Sequence, residues 1–341
     1  MEKILVTGGL GYIGSHTVVE LHNSGYEPVI IDNLYNASIG VLDSLEKICQ
    51  KRFAFEKIEM CNAKELDEYI SRNKDIKGVI HFAAILQVKE SVDEPVKYYS
   101  NNLNSTLNLI NSLKKYEIDN LVFSSSCTVY GNPDDLPVTE EAPSKPAESP
   151  YGNTKKICED ILKDSSRAYD MNIISLRYFN PVGAHPSGII GEVQHGEPHH
   201  LIPYITETAI GKRGKLKVFG NDYNTRDGSC IRDYIHVMDL ANAHVKALRW
   251  LSSQEKHQLF EIFNIGSGNG NSVLEIIEAF KEATGIAINY EIVPRRPGDV
   301  EAVYANTKKA ESLLNWRQKY TLADAMRDAW LWQNNQEDIS S

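Results

Sequence analysis

The 341-residue sequence lacks the features that mark membrane and secreted proteins. It has no apolar run of about 18 residues, so we expect neither a membrane span nor a membrane partner. Its first residues lead directly into an apolar strand pattern and a glycine-rich loop, without the apolar core and cleavage site of a signal peptide. It also lacks any Cys-x-x-Cys pair, and the scattered cysteines favour reduced thiols in a cytoplasmic protein. These cysteines are Cys49, Cys61, Cys127, Cys158 and Cys230.

An excess of basic charge is absent as well. The formal net charge is -10, which argues against nucleic acid as a general partner. A small anionic ligand is still compatible with this charge, because a few local arginines can hold it. Internal repeats and low-complexity segments are lacking too, and 42% hydrophobic residues are enough for a sizeable core.

What the sequence does contain is a regular alternation of strand and helix patterns. Apolar segments of strand length occur at 3–6, 29–31, 79–84, 121–124 and 173–177. Helical patterns at 13–21, 95–116 and 151–169 separate several of them. This alternation predicts an α/β fold with a Rossmann-type, doubly wound parallel sheet.

The character of the chain changes after Asn180. A segment rich in glycine, proline and histidine covers 181–203, and helices are predicted near 238–250, 272–284 and 322–332. We therefore expect a first domain at 1–180 and a smaller α/β domain at 181–341, with some later segments returning to the first. Ligands of open α/β sheets bind at the carboxyl ends of the strands, so the cleft is predicted between the two parts.

A glycine loop follows the first predicted strand. Gly8, Gly11 and Gly14 have the spacing Gly-x-x-Gly-x-x-Gly, with a strand before them and a helix after them. Such glycines allow a tight turn, close approach of a pyrophosphate and close helix packing. Asp32 ends the next predicted strand, where a carboxylate binds the ribose diol and repels a 2′-phosphate. The loop, which alone would pass for an ordinary turn, therefore predicts dinucleotide binding with NAD favoured over NADP.

Tyr151 and Lys155 are four residues apart and share one face of a predicted helix. An ammonium beside a phenol favours the phenolate and lowers the tyrosine pKa. A drop of about three units from about 10 makes the phenol a competent base and requires about 4 kcal/mol. The pair suggests proton abstraction from an alcohol next to a hydride acceptor. By itself the motif is common, so its interpretation depends on the rest of the chain.

Combined with the run 124–131, the glycine loop and the tyrosine–lysine pair resemble the extended short-chain dehydrogenase/reductase family. Longer segments at 177–188, 219–223, 232–239 and 294–299 resemble its UDP-glucose 4-epimerase branch. The resemblance spans nearly the whole chain. It implies reversible C4 epimerisation of UDP-glucose and UDP-galactose through a 4-keto intermediate, with transient hydride transfer to bound NAD, in galactose metabolism.

The resemblance also implies roles for individual residues. Tyr151 would remove the proton of the sugar 4-hydroxyl, Lys155 would lower its pKa, and Ser126 would hydrogen-bond the same hydroxyl. The positions that match cofactor contacts are Gly8, Gly11, Tyr12, Ile13, Gly14, Asp32, Asn33, Phe82, Asn101, Lys155 and Phe179. The positions that match substrate contacts are Ser126, Tyr151, Asn180, His200, Val218, Phe219, Arg232, Tyr234, Arg296, Asp299 and Val303.

Several positions depart from the family pattern. Met60 and Cys61 replace an Asp-Ile pair that usually contacts adenine, and Leu86 replaces a lysine, which puts the strength of NAD retention in question. His200 stands where an asparagine usually contacts the substrate. Val303 stands where some epimerases carry a tyrosine beside the sugar 2-substituent. The smaller valine implies room for an N-acetyl group, hence UDP-GlcNAc and UDP-GalNAc as further substrates, although valine could also simply fill the core.

Three competing interpretations remain. His195, His199 and His200 could suggest a metal site, but they lie in a loop without a cysteine partner and the implied chemistry needs no Lewis acid, so no metal is expected. A nucleotide-sugar 4,6-dehydratase or decarboxylase of the same fold is the alternative enzyme. Dehydratases resembling this chain place an Asp-Glu pair where Cys127 and Thr128 stand here.

The third interpretation is a non-catalytic NAD-binding regulator, which would have no use for the tyrosine and lysine together.

The resemblance further implies a homodimer formed through the helices at 95–116 and 151–169.

Overall fold

The computed structural model describes residues 1–143, 145–193, 196–198, 200–255, 258–296 and 299–340, with side chains up to Gln336. In these ranges the strands β1 to β13 are Lys3–Thr7, Glu27–Asp32, Ala54–Lys57, Ile76–His81, Asn120–Ser124, Asn172–Tyr178, Asn180–Val182, Leu216–Phe219, Ile231–His236, Phe260–Ile265, Gly270–Ser272, Tyr290–Val293 and Ala302–Val303. The helices α1 to α11 are Tyr12–Asn23, Gly40–Cys49, Ala63–Arg72, Val88–Asp93, Pro95–Lys115, Pro150–Ala168, Leu201–Ala209, Val237–Ser252, Val273–Thr284, Lys308–Leu313 and Leu322–Ser340.

A seven-stranded sheet forms the larger part of the molecule. Its strand order is β10-β6-β5-β4-β1-β2-β3, and all of its pairings are parallel. The predicted Rossmann-type sheet is therefore confirmed. The chain winds outward from β1 in one direction through β2 and β3 and in the other through β4 and β5. A crevice opens at such a switch point, beyond the carboxyl ends of β1 and β4.

The central strands are buried on both faces, as parallel strands covered by helices must be. In β1, Ile4 and Val6 lie in one core cluster with α1 and α8, whereas Leu5 lies in another with α3, α5 and α6. All three side chains are at most 1% exposed. Successive side chains of a strand point to opposite faces, so a continuous apolar run supplies both cores at once.

The second part of the chain forms two small sheets. β9 pairs with β7, β11 and β13, and β8 pairs in parallel with β12. A third core cluster lies between these strands and the helices α7, α9 and α11. The division of the chain near residue 180 stays a prediction. However, β10 is an edge strand of the large sheet, and α8 packs on α1 through the first core cluster.

None of the helices within the described residues is long and apolar enough to cross a membrane.

Candidate active site

One cleft, with a volume of about 2070 Å³, collects nearly all of the predicted site residues. Those that line it are Gly8, Gly11, Tyr12, Ile13, Gly14, Asp32, Asn33, Phe82, Asn101, Ser126, Tyr151, Lys155, Phe179, Asn180, His200, Phe219, Arg232, Tyr234, Arg296, Asp299 and Val303. Val218 is the exception, because alternate side chains of β8 face opposite ways. Val218 is 1% exposed and packs in the third core cluster, whereas its neighbour Phe219 reaches the cleft.

The glycine loop is shaped so closely that side chains would not fit. Gly8 has φ +67°, and its N–H donates to the Ile31 carbonyl at 2.8 Å. A Cβ on Gly8 would lie 2.9 Å from the Ala83 nitrogen, and one on Gly14 would lie 2.2 Å from the Gly8 oxygen. Among the described residues no side chain caps α1, whose N-cap is Gly11. The first amides of α1 are therefore left for an anion such as a pyrophosphate.

Asp32 lies where β2 ends and is held from two sides. One carboxylate oxygen accepts the Leu10 N–H at 3.1 Å and the other accepts the Leu34 N–H at 2.8 Å. Burial raises its pKa, and these two hydrogen bonds oppose that rise. Each oxygen keeps a lone pair that a ribose hydroxyl can use. The glycine cradle and this fixed carboxylate together fit NAD.

Met60 and Cys61, the departures from the family pattern, also line the cleft. The Cys61 thiol lies 3.5 Å from the Asn101 carbonyl. The carboxylate in this part of the wall comes instead from Glu59, which accepts hydrogen bonds from the Cys61 N–H at 3.0 Å and from the Asn33 side chain at 2.9 Å.

Helix α6 brings Tyr151 and Lys155 to the carboxyl end of β5. Its N-cap Ser149 accepts the Gly152 N–H at 3.1 Å, and Pro150 occupies the first turn. Tyr151 thus lies at the start of the helix, with Lys155 one turn further along. The Lys155 ammonium donates to the Ser124 carbonyl at 2.8 Å. The helix and the strand end are therefore joined at the point where the chemistry is expected.

Ser126 completes this group at the start of a 3-10 turn, Cys127–Tyr130. Its Oγ accepts the Thr128 N–H at 3.2 Å, and it also hydrogen-bonds to Tyr151. A hydroxyl has one donor and two acceptor positions. Because a backbone N–H occupies one acceptor position, the hydroxyl hydrogen is left to point at the tyrosine or at a substrate oxygen.

Burial dominates the electrostatics of this group. It raises the pKa of Tyr151 well above its usual value, Tyr178 adds to the rise, and the hydrogen bond with Ser126 opposes it. Burial also lowers the pKa of Lys155 to about 8. The prediction that Lys155 lowers the tyrosine pKa stays a prediction. The Lys155 ammonium is directed at the Ser124 carbonyl, and desolvation of the phenolate is the largest influence on the pKa of Tyr151.

Tyr178 is a cleft residue that the sequence interpretation missed. It ends β6, is half-buried and forms a hydrogen bond with Ser124. The rule that ligands meet the carboxyl ends of strands could have identified it, because β6 was predicted to end next to it.

Two arginines form a cationic region on the opposite wall. Asp299 lies between them, with one oxygen 2.7 Å from the Arg296 guanidinium and 3.8 Å from that of Arg232. One carboxylate faces two guanidinium groups, so the cluster keeps one net positive charge. The Arg296 guanidinium also lies 5.4 Å from the centre of the Phe219 ring. A guanidinium fork with an aromatic side chain beside it suits a nucleoside diphosphate.

His200 lies on the same side and pairs with a carboxylate that was not predicted. Its Nδ1 is 2.7 Å from Glu192. Burial lowers the pKa of His200, but the charge and the hydrogen bond of Glu192 outweigh this and raise it overall. His195 and His199 lie outside the described residues. Within the described residues, no three metal-binding side chains come together.

Val303 forms part of both the cleft wall and a small core. It is 8% exposed, lines the cleft and packs with Val129, Tyr130 and Phe179. In β13 it stands opposite Arg232 of β9. The two interpretations of this valine, as wall and as core filler, are thus compatible.

Three comparisons with known proteins agree with this geometry. A family model described as GDP-mannose 4,6 dehydratase matches residues 5–329. A UDP-glucose 4-epimerase of Dictyostelium discoideum is 50% identical over 334 residues, which cover 98% of this chain and 96% of that protein.

Two solved structures are similar over nearly their whole length. The UDP-glucose-4-epimerase of Stenotrophomonas maltophila, with bound NAD and formylated UDP-arabinopyranose, has a TM-score of 0.96 and 41% identity. The alignment covers 99% of this chain and 100% of that one. The UDP-Glc/GlcNAc 4-epimerase of Campylobacter jejuni has a TM-score of 0.85 and 36% identity, covering 98% of this chain and 100% of that one.

Proposed function

The chain belongs to the UDP-glucose 4-epimerase family, and we propose on this premise that it interconverts UDP-glucose and UDP-galactose at C4. The observation that carries the proposal is the meeting of three groups in one cleft. These are the glycine cradle with Asp32, the trio of Tyr151, Lys155 and Ser126, and the arginine pair of the opposite wall. Together they supply a cofactor site, a proton acceptor and an anchor for a nucleoside diphosphate.

NAD is the cofactor of this family, and when bound it supplies an acceptor, and later a donor, for the C4 hydride. Tyr151 takes the proton of the 4-hydroxyl, assisted by Ser126. Lys155 stays protonated below about pH 8 and keeps positive charge near the developing phenolate. Arg232 and Arg296 hold the diphosphate, so the sugar can present either face while the nucleotide stays bound. Binding energy remote from the reacting carbon thus anchors the substrate.

Elimination of water, the reaction of a dehydratase, is not favoured. It would need an acid and a base where Cys127 and Thr128 stand. Burial raises the pKa of the Cys127 thiol to about 12, so it does not ionise at neutral pH. Threonine is also unable to act as an acid near pH 7. A non-catalytic NAD-binding regulator is not favoured either, because it would have no use for Tyr151, Ser126 and Lys155 together in the cleft.

The test is product analysis with UDP-galactose for the wild type and Tyr151→Phe. We expect UDP-glucose from the wild type and a loss of turnover by a factor of about 10² or more in the variant, with the same NAD absorbance in both. If Tyr151→Phe turned over at the wild-type rate, Tyr151 could not be the base. A 4-keto-6-deoxy product would instead favour the dehydratase.

The substrate range is proposed to include UDP-GlcNAc and UDP-GalNAc. The support is the small side chain of Val303 in the cleft wall and the similarity to an epimerase that acts on both kinds of sugar. In Val303→Tyr the phenol would extend into the cleft beside the sugar. We expect kcat/KM to fall far more for UDP-GalNAc than for UDP-galactose, measured on the same preparation. An equal fall for both substrates would contradict the proposal.

We also propose that the protein is a cytoplasmic homodimer. The cysteines of the chain are all free thiols, which suits a reducing compartment. Helices α5 and α6 lie side by side, and apolar side chains such as Val96 and Leu107 are exposed on α5. Light scattering after gel filtration should give the mass of two chains, and Leu107→Glu should shift it towards one. A monomeric wild type would overturn this part.

A further inference from the structure

Glu159 is a buried carboxylate that the proposed reaction does not use. It lies on α6, one helical turn after Lys155 and two after Tyr151, and is 4% exposed. Its Oε1 accepts hydrogen bonds from Ser125 Oγ at 2.6 Å and Ser175 Oγ at 2.7 Å. The Arg177 guanidinium donates to both of its oxygens, at 3.1 Å to Oε1 and 2.6 Å to Oε2.

A buried ion pair needs an explanation other than stability. Removing two charges from water costs several kcal/mol for each ion, and well-packed apolar residues often stabilise a fold as well or better. Here the pair fixes the relative position of three segments. Glu159 belongs to α6, Ser125 follows the end of β5, and Arg177 belongs to β6.

Ser125, which Glu159 holds just after the end of β5, lies between two groups of the active site. Ser124 provides the carbonyl that accepts from Lys155, and Ser126 hydrogen-bonds to Tyr151. Ser125 itself is fixed on two sides, because its N–H donates to the Leu176 carbonyl at 2.9 Å and its hydroxyl to Glu159. A displacement of residue 125 would therefore move both neighbours relative to the helix.

We propose that Glu159 is a positioning residue that, through Ser125, sets the distance between Ser126 and Tyr151. This inference rests on the proposed function, because it assigns a role within the same proton transfer. The carboxylate acts as a clamp between the helix that carries the base and the strand end that carries its hydrogen-bond partner. Positional errors near 1 Å can cost a factor of about 10² in rate, so such a clamp has a measurable effect.

Arg177, which binds Glu159, is itself held in place by contacts with Tyr130. The Arg177 guanidinium lies 4.7 Å from the centre of the Tyr130 ring, and the Tyr130 hydroxyl donates to Asn264 at 2.6 Å. Asn264 belongs to β10, which is supplied by the second part of the chain. The position of Glu159 thus depends on β6 and β10 and not on α6 alone.

The chain offers a matched pair of variants as the test. Ser125→Ala and Ser175→Ala each remove one hydroxyl from the same carboxylate oxygen, and both serines are buried. Only Ser125 adjoins the active-site serine. We expect Ser125→Ala to lower kcat about tenfold or more with KM and bound NAD unchanged, and to shift the pH profile of kcat. Ser175→Ala should change kcat less than about twofold while lowering the melting temperature similarly.

Ser125→Cys keeps a weak donor at the same place and should recover part of the lost kcat. The inference is overturned if Ser125→Ala and Ser175→Ala have equal kcat and equal pH profiles. It is also overturned if Ser125→Ala raises KM and leaves kcat unchanged. These outcomes apply only when Tyr151→Phe is inactive. Wild-type turnover in Tyr151→Phe would refute the proposed function instead.

Discussion

Replacing Lys155 by methionine should stabilise the protein while it abolishes turnover. Burial lowers the pKa of this lysine from 10.5 to about 8. A shift of this size corresponds to about 3 kcal/mol against the charged form in the folded state. Methionine has a similar length and no charge, but it leaves the Ser124 carbonyl without the hydrogen bond from Nζ, at a cost of about 1 kcal/mol. The net gain expected at pH 7 is about 2 kcal/mol.

The gain should depend on pH in a defined direction. Below about pH 8 the lysine is protonated in both the folded and the unfolded state, so the wild type carries the full cost of the buried charge. Between about 8 and 10.5 the folded lysine is neutral while the unfolded one still binds a proton. The stability of the wild type therefore rises with pH across this window, and the advantage of the variant disappears.

The assay is the free energy of unfolding in urea at pH 7 and near pH 10, with turnover measured in parallel. Lys163→Met is the control, because Lys163 is exposed on the same helix and experiences the same change of pH. We expect no comparable gain for the control. The reasoning would be refuted if Lys155→Met were less stable than the wild type at pH 7. It would also be refuted if the variant exceeded the wild type in free energy of unfolding by the same amount at both pH values.

Three further predictions concern other parts of the cleft. Gly14→Ala places a methyl group against the Gly8 carbonyl and should abolish NAD absorbance in the purified protein. Gly40→Ala should retain the absorbance, because its methyl group would lie 3.6 Å from the Ser38 hydroxyl, an ordinary contact distance. Arg296→Ala should raise the KM for UDP-galactose about tenfold or more at unchanged NAD content, because a charge-assisted contact to the diphosphate is lost; an unchanged KM would exclude that contact. His200→Asn should lower the free energy of unfolding below about pH 6.5, where the wild type has a stabilising ion pair between His200 and Glu192. The effect should shrink as the pH rises, because the ion pair is lost when the pH passes the raised pKa of His200. A difference from the wild type that grows with pH would contradict the last prediction.

The large sheet was predictable because its central strands are continuous apolar runs. β1, β2, β4, β5 and β6 all overlap with runs recognised in the sequence, although β4 begins and ends three residues before the predicted run 79–84. The small sheets were not, since β7, β11 and β13 have three residues or fewer and show no periodicity. Glycine spacing and the tyrosine–lysine pair identified the cleft, because both motifs depend on local geometry.

What sequence could not supply was burial and side-chain direction. The pKa of Tyr151 rises because of desolvation, and the depth of burial is a property of the assembled fold. Val218 and Phe219 are neighbours in one motif, and only the orientation of β8 decides which of them reaches the cleft. Glu192 pairs with His200, eight positions further along the sequence, and no periodic pattern in the sequence indicates this pairing.

The return of β10 to the large sheet determines how late in synthesis that sheet can be completed. During synthesis β6 emerges first, but its edge stays unpaired until Phe260–Ile265 has followed it. The apolar side of α1 likewise waits for α8 to cover it. The nascent first half is therefore incomplete on the ribosome, with an open strand edge of the kind that promotes aggregation. Cofactor capture, which depends on that half, is expected late in synthesis, after about three quarters of the chain has been translated.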